Sequence, residues 1–155
     1  MSTHVHVIRA GDGRRFTAPD ADITVLVGGD HTGGTYEVFL VEASRSAPDG
    51  PLHAEPWSKS YHMLRGRILV QAGDIGYELA AGETVAIEAG TRNTFTVLSE
   101  SADFLLVAAG ASHGRLFGEL DVVGRGGHSP EVVARLLHDV TERYGVELAT
   151  GAGAP

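Results

Sequence analysis

Residues 51–66 of the chain have the sequence PLHAEPWSKSYHMLRG. His53 and Glu55 are two residues apart, so an extended strand would place both side chains on the same face. The same alternation continues along this face through Trp57, Lys59, Tyr61 and Met63. Strand interiors disfavour Lys and Glu, so the pattern indicates either a solvated edge strand with alternating charges or a chemical site.

Apolar runs bounded by turn residues recur on both sides of this segment. Residues 23–27 and 35–43 form two such runs, and in the second run Leu40 shares a face with Tyr36 and Val38. The remaining predicted strands cover residues 4–8, 67–72, 76–79, 84–87, 93–98 and 104–109. Strands that follow one another without intervening helices predict an all-β sandwich or barrel.

The last third of the chain has helical spacing. Residues 115–120 could form one or two helical turns. Ser129 is a favourable N-cap, Pro130 suits the first helical position, and Gly145 is a stop signal. Between them, apolar residues recur at helical spacing at Val133, Leu136, Leu137 and Val140. We predict an amphipathic helix that docks on the outside of the barrel or on a second subunit.

Composition limits the functions that the chain can have. Its 155 residues suit a single domain over 1–155, with a barrel core at about 22–110 and a helical segment at about 113–145. The absence of cysteine excludes disulfides and thiolate metal sites. A formal charge of -8 without a basic run argues against nucleic acid and membrane surfaces as partners. With no transmembrane stretch and no signal peptide, we expect a cytoplasmic protein.

Two sets of residues resemble the paired sequence motifs of the cupins. The first set comprises Gly50, His53, Glu55, Lys59 and Gly66, and the second comprises Gly82, Glu88, Gly90, Asn93 and Val97. The phrases around residues 32–34 and 50–53 are similar to those of the quercetinase-type single-domain cupins. The resemblance covers roughly residues 25–109. It implies a cupin-type jelly-roll β-barrel, carrying a C-terminal α-helix here, that is commonly a homodimer.

The metal-binding positions of this family are altered in the chain. Cupins hold a divalent metal with two His and a Glu of the first motif and a His of the second. Of these positions only His53 matches, because Glu55, Lys59 and Asn93 stand at the other three. An ammonium has no lone pair to offer a cation. We therefore expect no cofactor; the alternative is a divalent metal held weakly by His53, Glu55 and Asn93.

The substitutions suggest a metal-free site in their place. We predict that a Glu55–Lys59 pair flanked by His53 replaces the metal, since a buried carboxylate needs a charged partner. His53 or Glu55 would then act as a base, and Lys59 or Tyr61 as an acid or oxyanion stabiliser. The predicted function is a metal-independent cyclisation, isomerisation or dehydration of a small, largely apolar molecule, for example a polyketide or flavonoid-like compound of natural-product biosynthesis.

Inward parity and family position assign further residues to the substrate pocket. The predicted substrate-binding residues are Asn93, Trp57, Phe95, Met63 and Leu40. Packing at the barrel mouth is the alternative role of Trp57 and Tyr61. Three other interpretations remain open: a metal-dependent dioxygenase with an unusual ligand set, a non-catalytic ligand-binding cupin, and a decayed site whose ion pair only neutralises the pocket. Nothing in the sequence places His31, His113 or His128 in the pocket.

Overall fold

The computed structural model describes residues 4–149 as eleven strands, two α-helices and a 3-10 turn. The strands are β1 Arg15–Thr17, β2 Ala21–Val27, β3 Tyr36–Ser44, β4 His53–Ala54, β5 Lys59–Arg65, β6 Arg67–Ala72, β7 Ile75–Ala80, β8 Thr84–Ile87, β9 Asn93–Val97, β10 Ser101–Ala109 and β11 Glu147–Leu148. The helices are α1 Ser112–Arg125 and α2 Pro130–Arg143, and the 3-10 turn is Gly29–His31.

The strands form two antiparallel sheets that enclose one apolar core. One sheet has the order β1-β2-β3-β10-β5-β8, and the other has the order β11-β4-β9-β6-β7. Both sheets contribute to the core, whose most deeply buried side chains include Phe39, Met63, Ile68, Val70 and Phe104. The predicted all-β jelly-roll barrel with a C-terminal helix is therefore confirmed.

Gly66 joins the two sheets and shows why this motif position is a glycine. It connects β5 to β6 with a φ of 73°, in the left-handed region that disfavours other residues. A Cβ at this position would also lie 2.3 Å from the carbonyl oxygen of Ser101. The close strand crossing and the backbone angle both require a residue without a side chain.

The C-terminal helices cover one end of the barrel. The Ser129 side chain accepts a hydrogen bond from the backbone of Val132, as predicted for the N-cap of α2. Helix α1 is longer than predicted and has no side-chain cap at Ala111. Instead, the buried Glu37 carboxylate of β3 accepts a 3.1 Å hydrogen bond from the backbone of Gly114 in its first turn. No helix within residues 4–149 is long and apolar enough to cross a bilayer.

Three predictions made from local pattern differ from the structure. Residues 4–8 form no strand, and the short strands β1 and β11 were not predicted. The predicted inward face of β3 was also wrong. Its core-facing residues include Phe39 and Val41, so Leu40 lies on the opposite, half-buried face. Both faces of β3 carry apolar residues, and the charge of Glu37 on the inner face concealed the correct register.

Candidate functional site

His53, Glu55 and Lys59 form a charge cluster where strand β4 passes into β5. The Lys59 ammonium lies 2.8 Å from each carboxylate oxygen of Glu55. The Nε2 atom of His53 lies 2.5 Å from Oε1 of the same carboxylate. The side chains of Glu55 and Lys59 are 3% and 2% exposed, whereas His53 is 26% exposed. The structure thus contains the predicted ion pair, and His53 is the member that a ligand can reach.

The cluster keeps Glu55 ionised. Burial raises the pKa of this carboxyl, but the hydrogen bond from His53 and the charge of Lys59 outweigh burial and lower the pKa to about 2. Burial lowers the pKa of Lys59, yet attraction to Tyr61 and Glu55 leaves it above its ordinary value. A positive charge beside an ionised Glu55 is therefore a permanent feature of the site at neutral pH.

Both ring nitrogens of His53 face oxygen acceptors. Its Nδ1 atom lies 2.7 Å from the carbonyl oxygen of Pro51, and its Nε2 atom contacts Glu55. A carbonyl oxygen and an ionised carboxylate can only accept hydrogen bonds, so each nitrogen needs a hydrogen. Both contacts are hydrogen bonds when the ring carries a hydrogen on each nitrogen, and Glu55 then accepts from Nε2.

A small apolar cavity adjoins this cluster. Its volume is about 190 Å³. Its polar groups include His53, Glu55, Asp20 and His113. The apolar wall is formed mainly by the C-terminal helices and the tail, with Leu116, Phe117, Leu120, Leu137, Val146 and Leu148. The helix that the sequence placed on the outside of the barrel or on a second subunit, α2, thus forms part of the cavity wall together with α1.

The other predicted site residues do not line this cavity. Tyr61 and Met63 are 4% and 1% exposed and belong to the barrel core. The ring of Phe95 packs edge-on against Tyr61 and Phe104, with centroids 6.2 and 5.3 Å away. Burial raises the pKa of the Tyr61 hydroxyl, opposing ionisation. These aromatic side chains fill the barrel interior at the place where the sequence predicted a pocket.

Asn93 and Trp57 hold neighbouring groups in place. The Asn93 amide donates hydrogen bonds of 3.2 and 2.9 Å to the backbone oxygens of His53 and Thr91, which fixes the start of β4. The Trp57 indole donates a 2.9 Å hydrogen bond to Nδ1 of His113. Neither Asn93 nor Trp57 lines the cavity, and a substrate-binding role for them stays a prediction.

Sequence reasoning missed two titratable residues of the cavity. His113 in α1 is buried, and burial together with the charge of Lys59 lowers its pKa to about 3. Asp20 lies in the turn before β2, and burial raises the pKa of its carboxyl despite the nearby charges of His53 and Lys59. Neither residue belongs to a motif. Only the packing of α1 and of the β1–β2 turn over the barrel mouth brings them to the site.

The donor set does not fit the divalent metal that the cupin motifs imply. Both oxygens of Glu55 are occupied by the Lys59 ammonium, and His53 directs an N–H at the same carboxylate. The side-chain oxygen of Asn93 is buried without a hydrogen-bond partner, so one neutral oxygen is left as a metal ligand. Among residues 4–149, no group of three or more His, Asp or Glu side chains is placed to hold a metal ion.

No protein-family model matches the sequence, and no curated protein matches it. Solved structures do match its fold. The polyketide cyclase RemF from Streptomyces resistomycificus is 22% identical, with 70% of this chain and 80% of that chain covered at a TM-score of 0.55. The nucleoside dehydratase Pac13 from Streptomyces is 16% identical, with 68% and 82% covered at a TM-score of 0.56.

A third structure, KdgF from a Halomonas species, is 11% identical, with 68% of this chain and 94% of that chain covered at a TM-score of 0.59. Structural matches at identities this low establish the fold and leave the reaction open. The two-sheet topology, the glycine at the strand crossing and these structural neighbours all indicate the same fold. The chain therefore shares the fold of these structures, a small barrel of two antiparallel sheets.

Proposed function

We propose that the protein is an enzyme that catalyses acid–base chemistry on a small, neutral, largely apolar molecule. One observation carries this proposal. His53 has both ring nitrogens on oxygen acceptors, one of them the ionised Glu55, and it stands at the wall of a largely apolar cavity. A charged proton donor held beside an apolar cavity is suited to protonating a bound oxygen atom.

The roles within the cluster follow from exposure and contacts. Nε2 of His53 is committed to the buried Glu55, so Nδ1 is the ring atom that can exchange the Pro51 carbonyl for a ligand oxygen. Loss of the Nδ1 proton leaves a neutral imidazole still bound to Glu55. Lys59 touches both oxygens of Glu55 and is sealed from the cavity, so it acts as a positioning residue.

The cavity limits the size of the molecule. An apolar cavity of about 150 Å³ is known to bind benzene, so about 190 Å³ suits a molecule of roughly one six-membered ring. This size disfavours the multi-ring polyketide or flavonoid-like compounds suggested by the sequence. Among the predicted reactions, isomerisation and dehydration suit such a compact molecule. The structural neighbours include a cyclase and a dehydratase, which supports an acid–base enzyme of this general kind.

The test is hydrogen exchange on small neutral ketones, beginning with cyclohexanone. Protonation of the carbonyl oxygen promotes loss of a neighbouring C–H proton, so in D₂O an active site of this kind incorporates deuterium at that carbon. Proton NMR measures the rate. We expect His53→Gln to lower the catalysed rate by about 100-fold or more, the usual contribution of general acid catalysis.

His62→Gln is the matched control. His62 lies in β5 on the opposite face and bonds the Thr84 hydroxyl, so its loss should leave the exchange rate unchanged. Equal rates in wild type and His53→Gln would refute the proposal. If the ketones bind without any exchange, the protein is a ligand-binding cupin and the enzymatic proposal fails.

A further inference from the structure

The cavity wall includes a carboxylate, Asp20, that has no role in the proton donation proposed for His53. Asp20 lies in the turn between β1 and β2 and lines the same cavity as His53 and Glu55. It is partly buried and close enough to His53 and Lys59 for their charges to act on it. By contrast, Asp22 two residues later is exposed and contacts the Thr17 hydroxyl.

The loop at Gly50 passes close to the Asp20 carboxylate. A Cβ at Gly50 would lie 3.1 Å from Oδ2 of Asp20, so the carboxylate rests against a backbone segment that carries no side chain. Pro51, the next residue, supplies the carbonyl that holds Nδ1 of His53. The loop at Gly50 and Pro51 therefore lies beside both groups on the cavity wall.

Asp20 differs from Glu55 in its charge environment. Glu55 has both oxygens bound by cations and is a poor base. Among residues 4–149, no ion pair or side-chain hydrogen bond joins Asp20 to a cation, and the charged groups that act on it are His53, Lys59 and Asp49. Burial raises the pKa of Asp20 and so makes it the more basic carboxylate of the two. Paired carboxyl groups whose environments separate their basicity are typical of acid–base sites.

We propose that Asp20 is the catalytic base that works with His53, and that the substrate is a small neutral carbonyl compound with a hydrogen on the carbon next to the carbonyl. This inference rests on the proposed function. His53 donates its Nδ1 proton to the carbonyl oxygen while Asp20 removes the neighbouring C–H proton. The C–H electron pair forms the carbon–carbon double bond of an enol, and the π electrons of the carbonyl take up the proton from His53. When the carbon next to the carbonyl also carries a hydroxyl, the enol is an enediol, and its reprotonation at the former carbonyl carbon gives the isomeric hydroxycarbonyl compound. When the following carbon carries a hydroxyl instead, the enol O–H proton returns to His53, the carbonyl re-forms, and the hydroxyl takes the proton held by Asp20 and leaves as water.

Cyclohexanone exchange in D₂O tests this assignment with Asp20→Asn, which keeps the shape and removes the base. We expect a fall of about 100-fold or more in exchange rate, with cyclohexanone binding by protein NMR retained. Asp20→Glu should recover part of the rate. Asp22→Asn is the matched control and should exchange as wild type does.

The pH profile separates catalysis from a structural role. In wild type the exchange rate should rise as Asp20 ionises, and Asp20→Asn should lack this limb while its melting temperature at neutral pH stays at the wild-type value or above. If His53→Gln abolishes exchange and Asp20→Asn does not, the inference is wrong and the proposed function stands. If wild type shows no exchange, the proposed function fails and this inference falls with it.

Discussion

The interior of the barrel and the cavity beneath the helices are both largely apolar, but they are built differently. Tyr61, Phe95 and Phe104 pack against one another in the interior. The cavity lies where the β1–β2 turn, the start of β4 and both helices meet. A sheet core packs with regular spacing, whereas a junction between elements of different kinds leaves space. The charged residues that carry the proposed chemistry are found at the junction.

The largest effect should come from emptying the packed interior. Phe104 is 1% exposed and touches both Tyr61 and Phe95. Phe104→Ala should cost about 4 kcal/mol of unfolding free energy, because it removes buried surface and leaves a cavity. Urea unfolding measures the loss. A cost below about 1 kcal/mol would contradict the contrast between a filled interior and an open junction.

Lys59→Met tests the charge cluster that separates the two regions. This variant leaves Glu55 buried with His53 as its remaining partner and should cost about 3 kcal/mol, since removing one member of a buried ion pair is strongly destabilising. The double variant Lys59→Met with Glu55→Gln removes both charges and should recover most of that loss. Urea unfolding of the wild type, Lys59→Met, Glu55→Gln and the double variant gives the coupling. A double variant as unstable as Lys59→Met would show that packing rather than charge explains the effect.

Lowering the pH should destabilise the junction before it destabilises the interior. The folded-state pKa of His113 is lowered to about 3 from 6.5, so between these values the unfolded chain binds one more proton. The contribution of His113 to the free energy of unfolding is complete above pH 6.5. It falls by about 1.4 kcal/mol per pH unit as the pH drops towards the folded-state pKa. Glu55 adds to the loss between pH 4.5 and about 2, because its carboxylate also binds a proton more readily when unfolded.

His113→Gln should remove the slope between pH 6.5 and 4.5, where the carboxyl groups contribute least. The exposed His138→Gln serves as the control, since its side chain is 70% exposed. Chemical unfolding at a series of pH values reads both. A slope that persists in His113→Gln would exclude His113 as its source.

The smallest effect should come from the helix that covers the junction. Ser129→Ala removes the N-cap of α2 and should cost about 1 kcal/mol. Because α2 contributes Leu137 and Thr141 to the cavity wall, amide hydrogen exchange should increase in α2 and leave β3 and β10 protected. An equal increase in amide hydrogen exchange in α2, β3 and β10 would show that the two regions unfold as one unit.

Much of the fold could be predicted from short-range pattern. Gly66, the strand runs and the Ser129–Pro130 helix start each depend on backbone angles or side-chain alternation that neighbouring residues determine. The predicted Glu55–Lys59 ion pair also forms, because the chain bends at Pro56 and Trp57 between β4 and β5. The predicted lining residues Tyr61, Met63 and Phe95 lie in the packed interior, because parity assigns a residue to a face without saying what packs against that face. Leu40 was assigned to the wrong face, because β3 carries apolar residues on both faces.

By itself the sequence determined the all-β class, the C-terminal helix and the meeting of His53, Glu55 and Lys59, because these follow from contacts between residues near in the chain. The tertiary structure alone decided that the helices cover the barrel mouth and that the cavity lies there. It also brought Asp20 and His113 to the site. Such placement depends on packing between distant segments, where shape and burial rather than local spacing select the neighbours.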